Sequence, residues 1–244
     1  MENKYFNIVQ GEKESSLYIY GDIVSGSDKW DETDITLTEF KEQLDSIGEN
    51  ETLNVYINSG GGSVMTGINI GNLLSRHKGT KNVYIDALGA SIASVIAMSY
   101  DNLYMYENSM LMIHKPLIGF NYGGNSLDFR KLADELDRIE DNMLIPTYMS
   151  KANDELTEEV LKDMLEKETW LGAKDVKKYF KNVSIVKADK EIIACTSDYF
   201  EKYSKLPESL KIENKHIDEL EEQPIILTDY NLDYYKAKLK MYEI

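Results

Sequence analysis

The chain has 244 residues, 42% of them hydrophobic, and a formal net charge of −16. That length and apolar share suffice for a full core, as one domain or one domain with an appendage. The acidity excludes a general nucleic-acid or anionic-membrane surface, and no run of about 18 apolar residues marks a transmembrane helix. The opening stretch MENKYFNIVQGEKESS lacks the apolar region of a signal peptide. Cys195 is alone, so no internal disulfide is expected. A soluble, cytoplasmic protein is expected.

Strand and helix signals alternate along the chain. SLYIYGDI (16–23) reads as a strand, and TLTEFKEQLDSI (36–47) as a helix with Leu37, Phe40, Leu44 and Ile47 at helical spacing. TLNVYIN alternates through Leu53, Val55 and Ile57, as a strand does. A glycine turn, SGGG, then opens a helix that runs to His77. NVYIDA is a strand with Val83, Ile85 and Ala87 on one face, and SIASVIAMSY is a short buried helix. LYMYENSMLMIH forms two short strands around a turn at 107–109. A long helix from Leu127 to Met149 carries Phe129, Leu132, Leu136, Ile139 and Met143 on one stripe. Pro146 should end or kink it. An acidic helix around 157–165, a helix in GAKDVKKYF and a strand in NVSIVKA follow. Repeated strand–helix–strand units imply an α/β domain over 1–190. Residues 191–244, with Pro207, Pro224, IDELEEQ and several tyrosines, read as an acidic, tyrosine-rich extension. PIILTDYNLDYY is too apolar and aromatic for a disordered tail, so the extension packs on the domain or on a partner.

Three segments carry candidate chemistry. In ALGASIASVIAM, Ser91 follows a strand and a glycine and opens an apolar helix. The amides of a first helical turn are unpaired and favour negative charge, so a nucleophile's oxyanion fits there. An N-cap serine is the commoner reason for Ser at a helix start. In INSGGGSV, three glycines between a strand and a helix bring backbone N–H groups close to a ligand oxygen. No Gly-Lys-Ser/Thr follows, so this is not a Walker loop, and the dinucleotide spacing is absent. A plain tight turn explains it equally well. In SMLMIHKP, His114 ends an apolar strand, where a histidine serves as a general base or sits solvated. The chain has three histidines. His77 ends a helix, where the dipole explains it, and His216 lies in the extension, so His114 is the natural partner for a nucleophile.

Together these segments resemble the proteolytic subunit of the Clp protease. INSGGG is similar to that family's I-N-S-P-G-G turn, with Gly60 in place of proline. GASIAS resembles the box around its serine nucleophile, MIHKPLIGFNYGG its M-I-H-x-P strand and glycine-rich strand, and ETWLGAKDVKKYF its final acidic element. The resemblance covers about residues 16–187. It implies an α/β fold of the Clp protease/crotonase-like kind, a superhelix of repeated β-β-α units with a protruding handle helix. It implies a serine endopeptidase with Ser91 as nucleophile, His114 as base, and the Gly62 and Ile92 amides as oxyanion hole. The third triad position, aspartate in the family, is Glu168 here, with Asp163 as the alternative; a glutamate fills this role in other Ser-His-acid hydrolases. A substrate strand would pair along IGFNYGGNS, kept clear of side chains by Gly119, Gly123 and Gly124. The imidazole pKa is expected at about 6.5 or above it, raised by the carboxylate.

The resemblance further implies no cofactor or metal, protein or peptide substrates, and homo-oligomeric, heptameric rings joined by the 127–149 helix. The opening segment does not resemble the family's axial loops, so an ATPase partner is left open. The insert SGSDKWDETDIT, Glu168 and the extension resemble the Clp-like peptidases of phages and prophages, associated with head maturation; capsid and portal proteins are the partners this implies. Three rivals stand beside this reading. A signal peptide peptidase needs a lysine base, and an acyl-CoA enzyme of crotonase fold has no need of Ser91 and His114 together. A catalytically inactive ring or scaffold protein of the same fold is the third.

Overall fold

The computed structural model of the chain describes residues 8–10, 14–26, 29, 34–118, 123–187, 197, 200 and 203–207. The chain divides into two compact units, Met1–Leu206 and Pro207–Ile244, and the architecture below is that of the first. In chain order its elements are β1 (Ile8–Gln10), β2 (Glu14–Tyr20), α1 (Leu37–Asp45), β3 (Thr52–Ser59), α2 (Val64–Arg76), β4 (Lys81–Ala90), α3 (Ile92–Ala97), β5 (Asn102–Tyr106) and β6 (Met110–Ile113). Then come α4 (Ser126–Ile139), α5 (Ile145–Lys151), α6 (Glu158–Glu166), β7 (Thr169–Gly172), α7 (Ala173–Tyr179) and β8 (Val183–Val186).

Hydrophobic alternation explains the sheet. Strands β2, β3, β4, β5 and β8 lie side by side in parallel, with β1 antiparallel at the edge. In register, Leu17, Val55, Val83 and Leu103 point into one face, as do Ile19, Ile57, Ile85 and Met105, and all eight are fully buried. The residues between them face the other way. There Tyr18, Tyr56, Tyr84 and Tyr104 stack in a row, with ring centroids 4.8, 4.8 and 4.6 Å apart. Three of the helices packed on the core start where a short polar side chain satisfies free amides: Thr36 before α1, Ser63 before α2 and Thr157 before α6.

Strand β4 positions the site. Its first half pairs with β5, from Asn82↔Asn102 to Ile85↔Met105. Its second half leaves β5 and pairs with β6, Leu88↔Met110 through Ala90↔Met112. The same strand therefore ends one residue before Ser91 while bonded to the strand that ends one residue before His114. Strand β7, which the sequence reading did not anticipate, lies antiparallel to β6 with Ile113 opposite Thr169. That register sets Glu168 opposite His114.

The 127–149 helix of the sequence reading is one helical run from Ser126 to Lys151, with a π-helical turn at Glu140–Leu144 between α4 and α5. Pro146 neither ends nor breaks it. Proline leaves the i−4 carbonyl without a donor, and the widened turn just before it, with Ile145 N–H bonded to the Glu140 carbonyl, absorbs the mismatch. No residue of α4 is buried, whereas Leu144, Ile145 and Tyr148 after it enter the core.

Candidate active site

Ser91 occupies the turn between β4 and α3 with φ 53° and ψ −126°, a conformation L-residues rarely adopt. Such strain persists where the surroundings over-determine it, and a sharp strand-to-helix turn is how a nucleophilic serine is lifted clear of its helix. The Ser91 N–H bonds to the Met112 carbonyl at 2.9 Å, which fixes the turn to β6. Its side chain makes no capping bond. Instead Ser91 Oγ lies 2.6 Å from His114 Nε2. The N-cap explanation is thereby replaced by a serine–imidazole pair.

Behind the serine, Ser94 is fully buried and its hydroxyl donates to the Ser91 carbonyl at 2.6 Å. Ser94 Oγ is also 2.7 Å from the buried Tyr148 hydroxyl. Burial pushes the Tyr148 phenol far above its ordinary range, so it remains a neutral hydrogen-bonding group. The glycine turn packs in front. Gly61 and Gly62 have φ of 104° and 140°, and a Cβ on Gly61 would lie 2.8 Å from both the Ala90 carbonyl and Ser91 Cβ. The same Cβ would be 3.4 Å from the Ile92 amide nitrogen. The turn thus abuts the Ser91 backbone at the start of α3, and only glycine fits it.

The acid is held in an unexpected way. Glu168 has φ 49°, just before β7. Its Oε2 accepts from both the N–H and the hydroxyl of Ser204, each at 2.7 Å. Its Oε1 accepts from Lys205 N–H at 2.7 Å and from Trp170 Nε1 at 3.3 Å. Burial pushes the carboxyl up, but the bonds from Ser204, Lys205 and Trp170 outweigh it and hold the group below its ordinary value. Among the described residues no hydrogen bond joins Glu168 to His114; the carboxylate acts on the imidazole by charge alone. Asp163 is bonded to Lys167 at 2.6 Å on an exposed surface.

The expected upward shift of His114 is corrected. Burial of the ring pushes its pKa below 6.5, and the Glu168 charge recovers only part of that. Next to it, Lys115 pairs with the buried Glu140 at 3.0 Å, tying the end of β6 to the base of the α4–α5 helix.

Of the remaining expected site residues, Ile92 follows Ser91 and opens α3, whereas Gly62 packs on Ile23 and it is its neighbour Gly61 that abuts Ser91. Gly123 and Gly124 lie exposed just before α4, and Gly119 lies outside the described residues. The contributions from Ser197, Tyr203 and Ser204 had no signal in the sequence beyond the aromatic character of the extension. Among the described residues no group of three or more His, Cys, Asp and Glu side chains could hold a metal ion. None of their helices is long and apolar enough to cross a membrane.

A family model described as Clp protease matches residues 21–180. The chain belongs to the Clp protease family. The ATP-dependent Clp protease proteolytic subunit of Leuconostoc citreum is 27% identical over 138 residues, covering 56% of this chain and 68% of the relative. That of Bacteroides fragilis strain ATCC 25285 is 26% identical over 181 residues, 73% of this chain and 85% of the relative. A ClpP1 mutant from Listeria monocytogenes has the same fold at 21% identity, with a TM-score of 0.55 over 71% of this chain and 92% of that one. The fold of this Clp protease family member is accordingly the Clp protease/crotonase-like α/β superhelix, with the α4–α5 helix as its handle.

Proposed function

We propose that this Clp protease family member is a serine endopeptidase. The observation that carries the reading is the 2.6 Å Ser91 Oγ–His114 Nε2 contact at a strained strand-to-helix turn. Neutral His114 takes the Ser91 proton at Nε2 as Oγ attacks the carbonyl carbon of a peptide bond. The oxyanion is received by the amides of Gly62 and Ile92. His114 then gives its proton to the leaving amine, and water hydrolyses the acyl-enzyme by the same route. Glu168 stabilises the imidazolium by charge and, when free of its other partners, orients His114 Nδ1. Substrate pairs in extended form along 118–126, a mode that makes little demand on sequence.

The same reading makes the protein a cytoplasmic homo-oligomer of heptameric rings that acts on protein substrates. Its insert, Glu168 and its extension resemble the phage and prophage branch, and this resemblance supports procapsid components as the substrates. Hydrolysis of a short fluorogenic peptide and of unfolded casein tests the activity. Ser91→Ala is expected to abolish both while the circular dichroism spectrum is unchanged. Equal hydrolysis by wild type and Ser91→Ala would overturn the reading.

A further inference from the structure

The stretch that follows β8 returns to the site. Ser197 Oγ donates to Asp22 Oδ1 at 2.6 Å, beside the glycine turn. The Phe200 N–H bonds to the Ser197 carbonyl and the Tyr203 N–H to the Phe200 carbonyl, each at 3.2 Å. Phe200 and Tyr203 are buried, at 7% and 8% exposure. The Tyr203 ring stands edge-on to His114 at 5.4 Å and to Trp170 at 6.1 Å, and its hydroxyl donates to the Gly60 carbonyl. Ser204 and Lys205 then engage both oxygens of Glu168, and Lys205 Nζ donates to the Lys167 carbonyl.

Two of the chain's departures from the family pattern meet here. Gly60 is not among the positive-φ glycines of its turn, so backbone conformation does not require glycine there. What it lacks is a side chain: a Cβ on Gly60 would fall 2.1 Å from Ser197 Oγ and 2.3 Å from Ser197 Cβ. A proline at this position would occupy the seat that Ser197 takes. Glu168, the other departure, is the carboxylate that Ser204 and Lys205 bind.

We infer that Ser197, Phe200 and Tyr203 to Lys205 form a built-in cover of the Ser91–His114 site, which blocks peptide entry beside His114 and withholds Glu168 from the imidazole until it swings away. The cover competes with substrate for the same cleft. Opening it does two things at once: it clears the space beside the glycine turn, and it frees a carboxylate opposite His114 in the β6–β7 register. Because only the open fraction is competent, a cover closed nine-tenths of the time or more slows reaction about tenfold or more.

This inference rests on the peptidase reading, and the test separates the two. Two full-length variants open the cover from opposite sides: Tyr203→Ala/Ser204→Pro removes its contacts, and Gly60→Ala fills its seat. Each is built in a Trp30→Phe background, which leaves Trp170 as the only indole. Acrylamide quenching of Trp170 reads the cover itself. The rate of fluorophosphonate labelling reads access to the serine. The expected result is stronger quenching in both variants and labelling faster by about tenfold or more. Unchanged quenching, or labelling that is unchanged or slower while the fold is kept, overturns the cover. Labelling absent from every form, open or closed, overturns the peptidase reading and the inhibitory role with it, whereas the quenching change then still reports the contact.

Discussion

A serine with φ 53° marks the chemistry more sharply than any motif. An ordinary N-cap sits in extended backbone and bonds a first-turn amide, as Thr36, Ser63 and Thr157 do. Ser91 does neither and is bonded to His114 instead. Its environment also sets the pH dependence. His114 must be neutral to take the Ser91 proton, and burial holds its pKa below 6.5 against the pull of Glu168. Activity is therefore expected to be complete at neutral pH and to fall on acidification, with a midpoint below 6.5 in a plot of kcat/KM against pH. Glu168→Gln removes the charge that raises that pKa, so the midpoint should move further down. The plateau should drop as well, by between about 10- and 10⁴-fold, as when a triad loses its carboxylate. An unchanged profile in Glu168→Gln would show that Glu168 does not act on His114.

At the scale of elements, the strands that alternate cleanly were legible in the sequence because one face of each is buried: Val83 and Ile85 in β4, Val55 and Ile57 in β3. Ser91 and His114 were legible as well, each lying one residue beyond a strand end. Strand β7 was not. Its four residues, Thr169–Gly172, are too few to show a period, yet it is the strand that brings Glu168 opposite His114. The tyrosine row was hidden for a different reason: Tyr18, Tyr56, Tyr84 and Tyr104 align only when four parallel strands take up register. The direction of the His114 shift was missed because a sequence shows a neighbouring carboxylate but not the burial that outweighs it. The same sheet face carries a test of stability. Burial raises the Asp86 carboxyl from 3.8 to about 6, although the Tyr20 hydroxyl bonds it. A raised folded-state pKa means that the protonated form is favoured in the fold. Its stabilisation is present below pH 3.8 and lost as pH rises to about 6. Asp86→Asn keeps an acceptor for Tyr20 and removes that loss. In urea denaturation at pH 7 the variant should be more stable by about 1–3 kcal/mol, with little difference near pH 4.

For the molecule as a whole, the ring reading rests on the handle. None of α4 is buried, and Leu127 and Phe129 are 55% and 50% exposed. Exposed apolar side chains on a helix are what a surface that meets another copy of the chain requires. Light scattering should therefore give a mass of many subunits at micromolar concentration, and Leu127→Asp/Phe129→Asp should reduce it; a monomeric wild type would contradict the ring reading. The peptidase reading and the inhibitory role of the cover rest on one claim, that Ser91 is a nucleophile activated by His114. Locating the fluorophosphonate adduct by peptide mass spectrometry, in native protein and in His114→Ala, tests it most directly. The account predicts one adduct, on Ser91, forming slowly in the covered native chain and at least about 100-fold more slowly still without the imidazole. An adduct on another residue, or labelling at the same rate in His114→Ala, would contradict it.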